Sequence, residues 1–158
     1  MARIATGAPA AAPRELSMSV LMTPDTANFS GNVHGGTILK LLDQVAYTCS
    51  SRYSGCYVVT LSVDKVVFRG PIRVGEFVTF LARVNHTGRT SMEIGIKALA
   101  ENVRTGESRH VVSCFFTMVA VDDLQRPTVV PAFTPVTADD LRRHEAALKR
   151  RDAARAEY

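Results

Sequence analysis

Apolar residues recur at Ile38, Leu41, Leu42, Val45, Ala46 and Cys49, in steps of three and four, while Lys40, Gln44, Tyr47 and Ser51 fall on the opposite side. That period predicts an amphipathic helix from Gly35 with one buried stripe. It should end near Gly55, which readily takes the left-handed conformation that closes a helix. Ahead of it, ELSMSVLM reads as a short strand and TPDTANFSGN as a loop of turn-forming residues. From Tyr57 the period falls to two. In YVVTLSVDKVVFR, Tyr57, Val59, Leu61 and Val63 alternate with Val58, Thr60, Ser62 and Asp64, which predicts a long strand with one polar face. GPIRVGE interrupts it, because Pro71 donates no ladder bond and the flanking glycines permit a bend. Three more β runs follow, FVTFLARVNH, SMEIGIKALAE and RHVVSCFFTMVAVD, joined by TGRT and NVRTGES. Links this short predict antiparallel hairpins. The last run is apolar on both faces through Cys114, Phe115, Phe116 and Met118, as expected of an interior strand.

One long helix and four or more long antiparallel strands make an α+β plan in which the sheet wraps the helix to bury its stripe. TADDLRRHEAALKRRDAARAEY predicts a second helix, with Thr137 and Asp140 at capping-box spacing. Its apolar positions are few and its arginines many, so it is expected to be solvated or to contact an assembly partner rather than to bind nucleic acid. The chain divides into a flexible lead over 1–15, one domain over 16–122, and a linker with a basic C-terminal helix over 123–158.

Composition narrows the class. With 158 residues, 46% of them hydrophobic and 22% charged, the chain has the size and balance of one ordinary soluble domain. No apolar run approaches the ~20 residues of a spanning helix, and MARIATGAPAAAPREL lacks the apolar core of a secretion signal. The expected location is cytoplasmic, with no membrane partner. Cys49, Cys56 and Cys114 are odd in number and without CxxC spacing, so neither a disulfide framework nor a zinc site is implied. The net charge of +4 suits an anionic ligand such as a phosphorylated cofactor and does not demand nucleic acid.

The candidate chemistry gathers around NVHGGTILKLLD. A helix N-terminus offers unpaired backbone N–H groups and partial positive charge, which suits a carbonyl oxygen becoming an oxyanion. Gly35 and Gly36 remove the side chains that would block such an approach. The plainer reading has the glycines turn the chain into the helix, with Asn32 as a cap near its start. On a wheel of ~100° per residue, Asp43 falls on the rim of the apolar stripe, too far along the helix to cap it or to feel its dipole. Alone, such an aspartate is more often a half-exposed hydrogen bonder than a catalyst. GRTS at 88–91 forms a Gly-led turn exposing N–H groups and Arg89, a cradle for phosphate or simply a turn. Nothing matches a phosphate-binding P-loop, a dinucleotide fingerprint or a Ser-His-Asp set.

Taken together, GNVHGGTILKLLDQVA, VDKVVFRGPIRVGEFV and GRTSMEI resemble, in order and spacing, the signature stretches of hotdog-fold acyl-CoA thioesterases of the bacterial and brain-type cytosolic acyl-CoA hydrolase group. The resemblance spans about residues 17–122. It implies a helix wrapped by a curved antiparallel sheet, dimers that pair their sheets, hexamers built as trimers of dimers, and hydrolysis of fatty acyl-CoA to free acid and CoA without a metal or redox cofactor. It also implies that Asp43 is the catalytic carboxylate, acting as general base or nucleophile. Asn32 then places the water or thioester, the Gly36 N–H polarises the thioester carbonyl, and His34 and Gly35 line the pocket. Gly88, Arg89, Thr90 and Ser91 become CoA-binding residues, with Arg69 and Arg73 as further charge toward the nucleotide. Thr60 and Ser62, on the polar face of the strand after the helix, are candidates to line the same cleft as Asp43, or are ordinary sheet surface.

The helix itself adds a constraint. Eight residues from Gly35 to Asp43 rise ~12 Å, so Asn32 and Asp43 of one chain cannot grip the same thioester. This predicts a composite site, with Asn32 and the Gly36 N–H of one protomer facing Asp43 of its mate. Two other readings stand beside hydrolysis: a noncatalytic acyl-CoA sensor, and a hotdog enoyl-CoA hydratase. The sequence does not fix the acyl chain length.

Overall fold

Helix α1 (Gly35–Ser54) buries Ile38, Leu42, Val45, Ala46, Cys49, Ser50 and Tyr53, the stripe its period predicts extended by one turn. Gly55 closes it at φ 69°, its N–H donating to the Ser51 carbonyl at 2.9 Å. The computed structural model describes residues 12–157. Of the expected lead, residues 1–11 lie outside the described residues, and Glu15 already opens the first strand.

Strands β1 (Glu15–Leu21), β2 (Tyr57–Phe68), β3 (Phe77–Thr87), β4 (Ser91–Glu101) and β5 (Ser108–Val121) form one antiparallel sheet in the order β1-β3-β4-β5-β2. The short links make β3–β4 and β4–β5 hairpins, whereas β2 crosses to the far edge and pairs with β5. This is the hotdog arrangement. The face toward α1 is apolar throughout the sheet's interior: Phe80, Met92, Ile94, Phe116 and Met118 are each at most 1% exposed. At ~1.5–3 kcal/mol for each fully buried large side chain, this layer is what holds helix and sheet together. β5 is interior, with β4 on one side and β2 on the other. Burial pushes the Cys49 and Cys114 thiols up to about 12, the inert behaviour expected of core cysteines.

One local feature of β2 departs from simple alternation near its middle. Thr60 pairs with Met118 and Ser62 with Thr117, so Leu61 is an extra residue that forms a bulge in β2. Beyond it the faces exchange: Thr60 looks toward α1, and Ser62 and Asp64 look away. The polar face expected of Val58, Thr60, Ser62 and Asp64 is therefore divided between the two sides of the sheet.

Helix α2 (Ala138–Ala156) starts with the predicted capping box, the Thr137 hydroxyl oxygen accepting from Asp140 N–H at 3.0 Å and Asp140 Oδ2 from Thr137 N–H at 3.2 Å. It is not merely solvated. It docks on the sheet face opposite α1, burying Ala147, and its charges serve as clamps. Arg83 of β3 reaches Asp139 and Asp140 at 2.9 and 2.8 Å, and Arg150 reaches both oxygens of Glu93 on β4. The Arg150 guanidinium also lies 3.6 Å over the Phe115 ring.

Candidate active site

The segment leading into α1 is braced from two sides. Within it, the Asn28 side-chain oxygen accepts from Ser30 N–H at 3.0 Å and Asn32 N–H at 3.1 Å, while Asn28 N–H donates to the Asn32 carbonyl at 2.6 Å. Gly31 turns the chain at φ 81°, where a side chain would be strained. Behind it, Asn32 bridges Arg73 and Val33 N–H donates to the Ile72 carbonyl at 2.7 Å. Asn32 is thus held half-buried by its backbone, and its side-chain amide makes no hydrogen bond among the described residues.

The 69–76 bend that backs Asn32 is itself fixed by a residue the sequence pattern did not single out. Glu76, 5% exposed, accepts from Arg109 at 2.6 and 3.0 Å and from Arg73 N–H at 3.0 Å. Burial pushes this carboxyl up, but the Arg109 and Arg73 bonds outweigh it and hold Glu76 below the usual carboxylate range. The available signal was a lone acid inside a Pro/Gly bend, too generic to separate from a surface charge. Arg73, expected to reach toward a nucleotide, lies 3.9 Å from Glu76 and is partly committed to it. Arg69 is exposed, with its N–H on the Val111 carbonyl at 2.8 Å.

The cap of α1 is His34, not Asn32. Its Nδ1 accepts from Gly36 N–H at 3.0 Å, and its carbonyl accepts from Thr37 and Ile38. Nδ1 as acceptor fixes the ring as the Nε2–H tautomer. The donor expected to polarise a carbonyl is therefore already engaged, and a ligand oxygen must share it or displace the ring. A Cβ on Gly36 would meet His34 Nδ1 at 3.3 Å, whereas one on Gly35 meets only Phe68 at 4.0 Å. His34, Gly35 and Gly36 are all exposed.

Two turns on, Asp43 is exposed at the edge of a cleft of about 510 Å³ between α1 and β2. Thr60 donates its hydroxyl hydrogen to Asp43 Oδ1 at 2.6 Å. Met18 and Met118 line the cleft below, and the Tyr47 and Tyr57 rings meet edge-on 6.0 Å apart in its wall. Asp43 and Thr60 are thus brought together as expected. Asn32, His34 and Gly36 do not line this cleft. Nor does Ser62, because the bulge at Leu61 turns it to the other face of the sheet, where it shares a pocket with Ser91 and α2.

The 88–91 turn is tighter than an open cradle. Gly88 N–H donates to the Ser91 carbonyl at 2.8 Å, and a Cβ on Gly88 would sit 2.8 Å from Ser91 Oγ. The Arg89 and Thr90 carbonyls accept from Val130 and Ala120, each at 3.0 Å. What the turn offers a ligand is the exposed Arg89 side chain and the Ser91 hydroxyl, not the Gly88 N–H.

The fold and sequence recur among known proteins. The family described as the thioesterase superfamily matches residues 30–107. Protein VdlD of Helicobacter pylori is 52% identical over 138 residues, covering 87% of this chain and 79% of that one. A crystal structure described as an apo-hexameric acyl-CoA thioesterase superposes with a TM-score of 0.87 at 33% identity, covering 90% and 92% of the two chains. An acyl-CoA hydrolase from Staphylococcus aureus, in complex with butyryl coenzyme A, coenzyme A and coenzyme A disulfide, superposes with a TM-score of 0.81 at 27% identity, covering 90% and 89%. Among the described residues no helix is long and apolar enough to cross a membrane.

Proposed function

The chain belongs to the thioesterase superfamily of hotdog proteins, and we propose that it is an acyl-CoA hydrolase that splits fatty acyl-CoA into free acid and CoA with Asp43 as its catalytic carboxylate. The observation that carries this reading is the 2.6 Å bond from Thr60 to Asp43 Oδ1 at the edge of the apolar cleft. It fixes the carboxylate and leaves Oδ2 to take a proton from water. The water oxygen attacks the thioester carbon, the carbonyl oxygen becomes an oxyanion, and collapse of the tetrahedral intermediate breaks the C–S bond and expels the CoA thiolate, which takes the proton back from Asp43. A carboxylate is a weak base in water and a stronger one once an acyl chain displaces that water. Water and these side chains suffice for hydrolysis, so the proposal includes no metal or redox cofactor.

The site is completed by a second copy. Gly36 and Asp43 lie seven helical residues, ~10 Å, apart on one rigid helix. Asn32 and the His34–Gly36 pair of one protomer therefore serve Asp43 of the other. β2 is an edge strand with Leu61 69% and Val67 50% exposed, and Val63 and Phe68 also exposed on its outer half. An exposed apolar edge is a template for pairing, and the proposed partner is the same strand of a second chain. The hexameric relative supports further assembly of such dimers, and a cytosolic relative supports a cytoplasmic location.

Thiol release from acyl-CoAs of graded length, with wild type and Asp43→Ala side by side, tests the assignment. Turnover by the wild type that falls at least ~100-fold in the variant, about 2.7 kcal/mol of transition-state stabilisation, is expected. Binding without thiol release would move the chain to the sensor reading, and hydration of an enoyl-CoA to the hydratase reading.

A further inference from the structure

The cleft beside Asp43 has a direction. Every residue that α1 contributes to it lies at Asp43 or beyond, through Gln44, Tyr47 and Thr48. The Thr48 hydroxyl is already satisfied, donating to the Gln44 carbonyl at 2.8 Å. With Met18, Val58 and Met118 also lining it, the run from Asp43 toward Tyr47 is largely apolar and suits an acyl chain. It ends at Tyr47 and Tyr57, whose rings meet edge-on while the residues stay 41% and 56% exposed. An aromatic pair left half in water has a face to give to another apolar group.

Among the described residues no large apolar side chain is more exposed than Phe29. The turn that carries it is stiff. Besides its two backbone bonds, Asn28 Oδ1 accepts from the Ser30 hydroxyl at 2.9 Å, and Gly31 N–H donates to the Asn28 carbonyl at 3.1 Å. The ring is thus held out into water at a fixed place three residues ahead of Asn32. In the shared site, Gly36 of each protomer faces Asp43 of the other. Both pairings hold at once only where the two α1 helices run antiparallel. Tyr47, one turn or ~6 Å past Asp43, then lies beside the segment that precedes the partner's Gly36, and that segment carries Phe29.

We propose that Phe29 of one protomer seats on the Tyr47–Tyr57 pair of its mate and closes the far end of the acyl cleft, making this chain selective for short acyl groups. The inference rests on the hydrolase and shared-site reading and adds to it the acyl class of the substrate. Seating the ring on two half-exposed tyrosines takes apolar surface of all three out of water, and a buried aromatic anchor of this kind is what holds an interface together. The same contact walls off the cleft. The ~6 Å from Asp43 to Tyr47 is the length of roughly four or five methylene groups, so a butyryl or hexanoyl chain fits and a dodecanoyl chain meets the rings.

Two measurements test it. The first is the ratio of kcat/KM for dodecanoyl-CoA to that for butyryl-CoA in wild type, Phe29→Ala, Tyr47→Ala and Tyr47→Phe. The wild type should favour butyryl-CoA, the two alanine variants should raise the ratio ~10-fold or more, and Tyr47→Phe, which keeps the ring, should leave it near the wild-type value. The second uses two differently tagged chains in a Cys56→Ser background, one carrying Phe29→Cys and the other Tyr47→Cys. Mild oxidation of the mixed dimer should give a disulfide-linked species that bears both tags, since the bond forms only where the two Cα atoms lie within ~7 Å. A wild type that favours dodecanoyl-CoA, an unchanged ratio in Phe29→Ala, or the absence of the two-tag species overturns the proposal. If the wild type hydrolyses no acyl-CoA, the hydrolase reading fails separately. The disulfide then still decides the seat, and calorimetry of butyryl- against dodecanoyl-CoA on wild type and Phe29→Ala decides the length limit, equal preference in the two proteins refuting it.

Discussion

Thr60 on β2 and Asp43 on α1 are joined at the edge of the cleft by a 2.6 Å hydrogen bond between a predicted lining residue and the predicted catalytic carboxylate. A hydrogen bond to a charged acceptor contributes ~1.5–3 kcal/mol. If that bond orients the base, Thr60→Val lowers kcat/KM ~10- to 100-fold while Thr60→Ser keeps most of it. Steady-state thiol release on one acyl-CoA reads both.

The cap at His34 predicts a loss of stability in addition to its place in the proposed site. His34→Ala removes the acceptor of Gly36 N–H and should destabilise by ~1 kcal/mol, the cost of losing a helix cap. Asn at this position restores a capping oxygen. Thermal melts of the two variants should therefore differ by a few degrees, with His34→Asn nearer the wild type.

Glu76 ties Arg109 to the bend behind Asn32, and removing it leaves a guanidinium and the Arg73 N–H unpaired. Glu76→Ala should cost ~2–4 kcal/mol of stability by denaturant titration, less than a fully buried pair because Arg109 is partly exposed. As a positioning residue, it should also lower kcat/KM at temperatures where the variant remains folded. A variant with wild-type stability would remove the brace from the account.

Acid should destabilise the fold in two windows. His86 is held below its ordinary 6.5 by burial, then by His144 and Arg151, so it is neutral in the folded protein and binds its proton more readily when unfolded. Its contribution is full above pH ~6.5 and is lost as pH falls through the lower folded value. Glu76, held below 4.5, acts in the same sense at lower pH: its contribution is present above the unfolded carboxylate range and is lost below it. Melting temperature should be flat above neutrality and fall below pH ~6.5, and His86→Gln should remove that first decline only.

The elements were legible because their periods were clean. The α1 stripe, the Gly55 cap, the two hairpins and the Thr137–Asp140 box all follow from short-range rules that tertiary packing did not override. The bulge at Leu61 was not legible, since YVVTLSV alternates without a glycine or proline to mark an extra residue, and that one residue moved Ser62 from the expected cleft to the α2 pocket. His34 was missed as the cap because histidine caps helices only when its ring folds back, which depends on neighbouring backbone. The catalytic roles proposed for Asp43 and Asn32 rest on pattern likeness rather than physics. Glu76 and Arg109 meet across 33 positions, a contact that no local pattern announces.

The shared site is the central claim, and mixed dimers test it most directly. A chain carrying Asn32→Ala and a chain carrying Asp43→Ala, differently tagged and co-purified, leave one intact composite site per dimer if Asn32 of one protomer serves Asp43 of the other. The account predicts that each variant alone is nearly inactive and that the mixed dimer recovers about half the wild-type kcat. A mixed dimer no more active than its parents would contradict it, placing both residues of each site on a single chain.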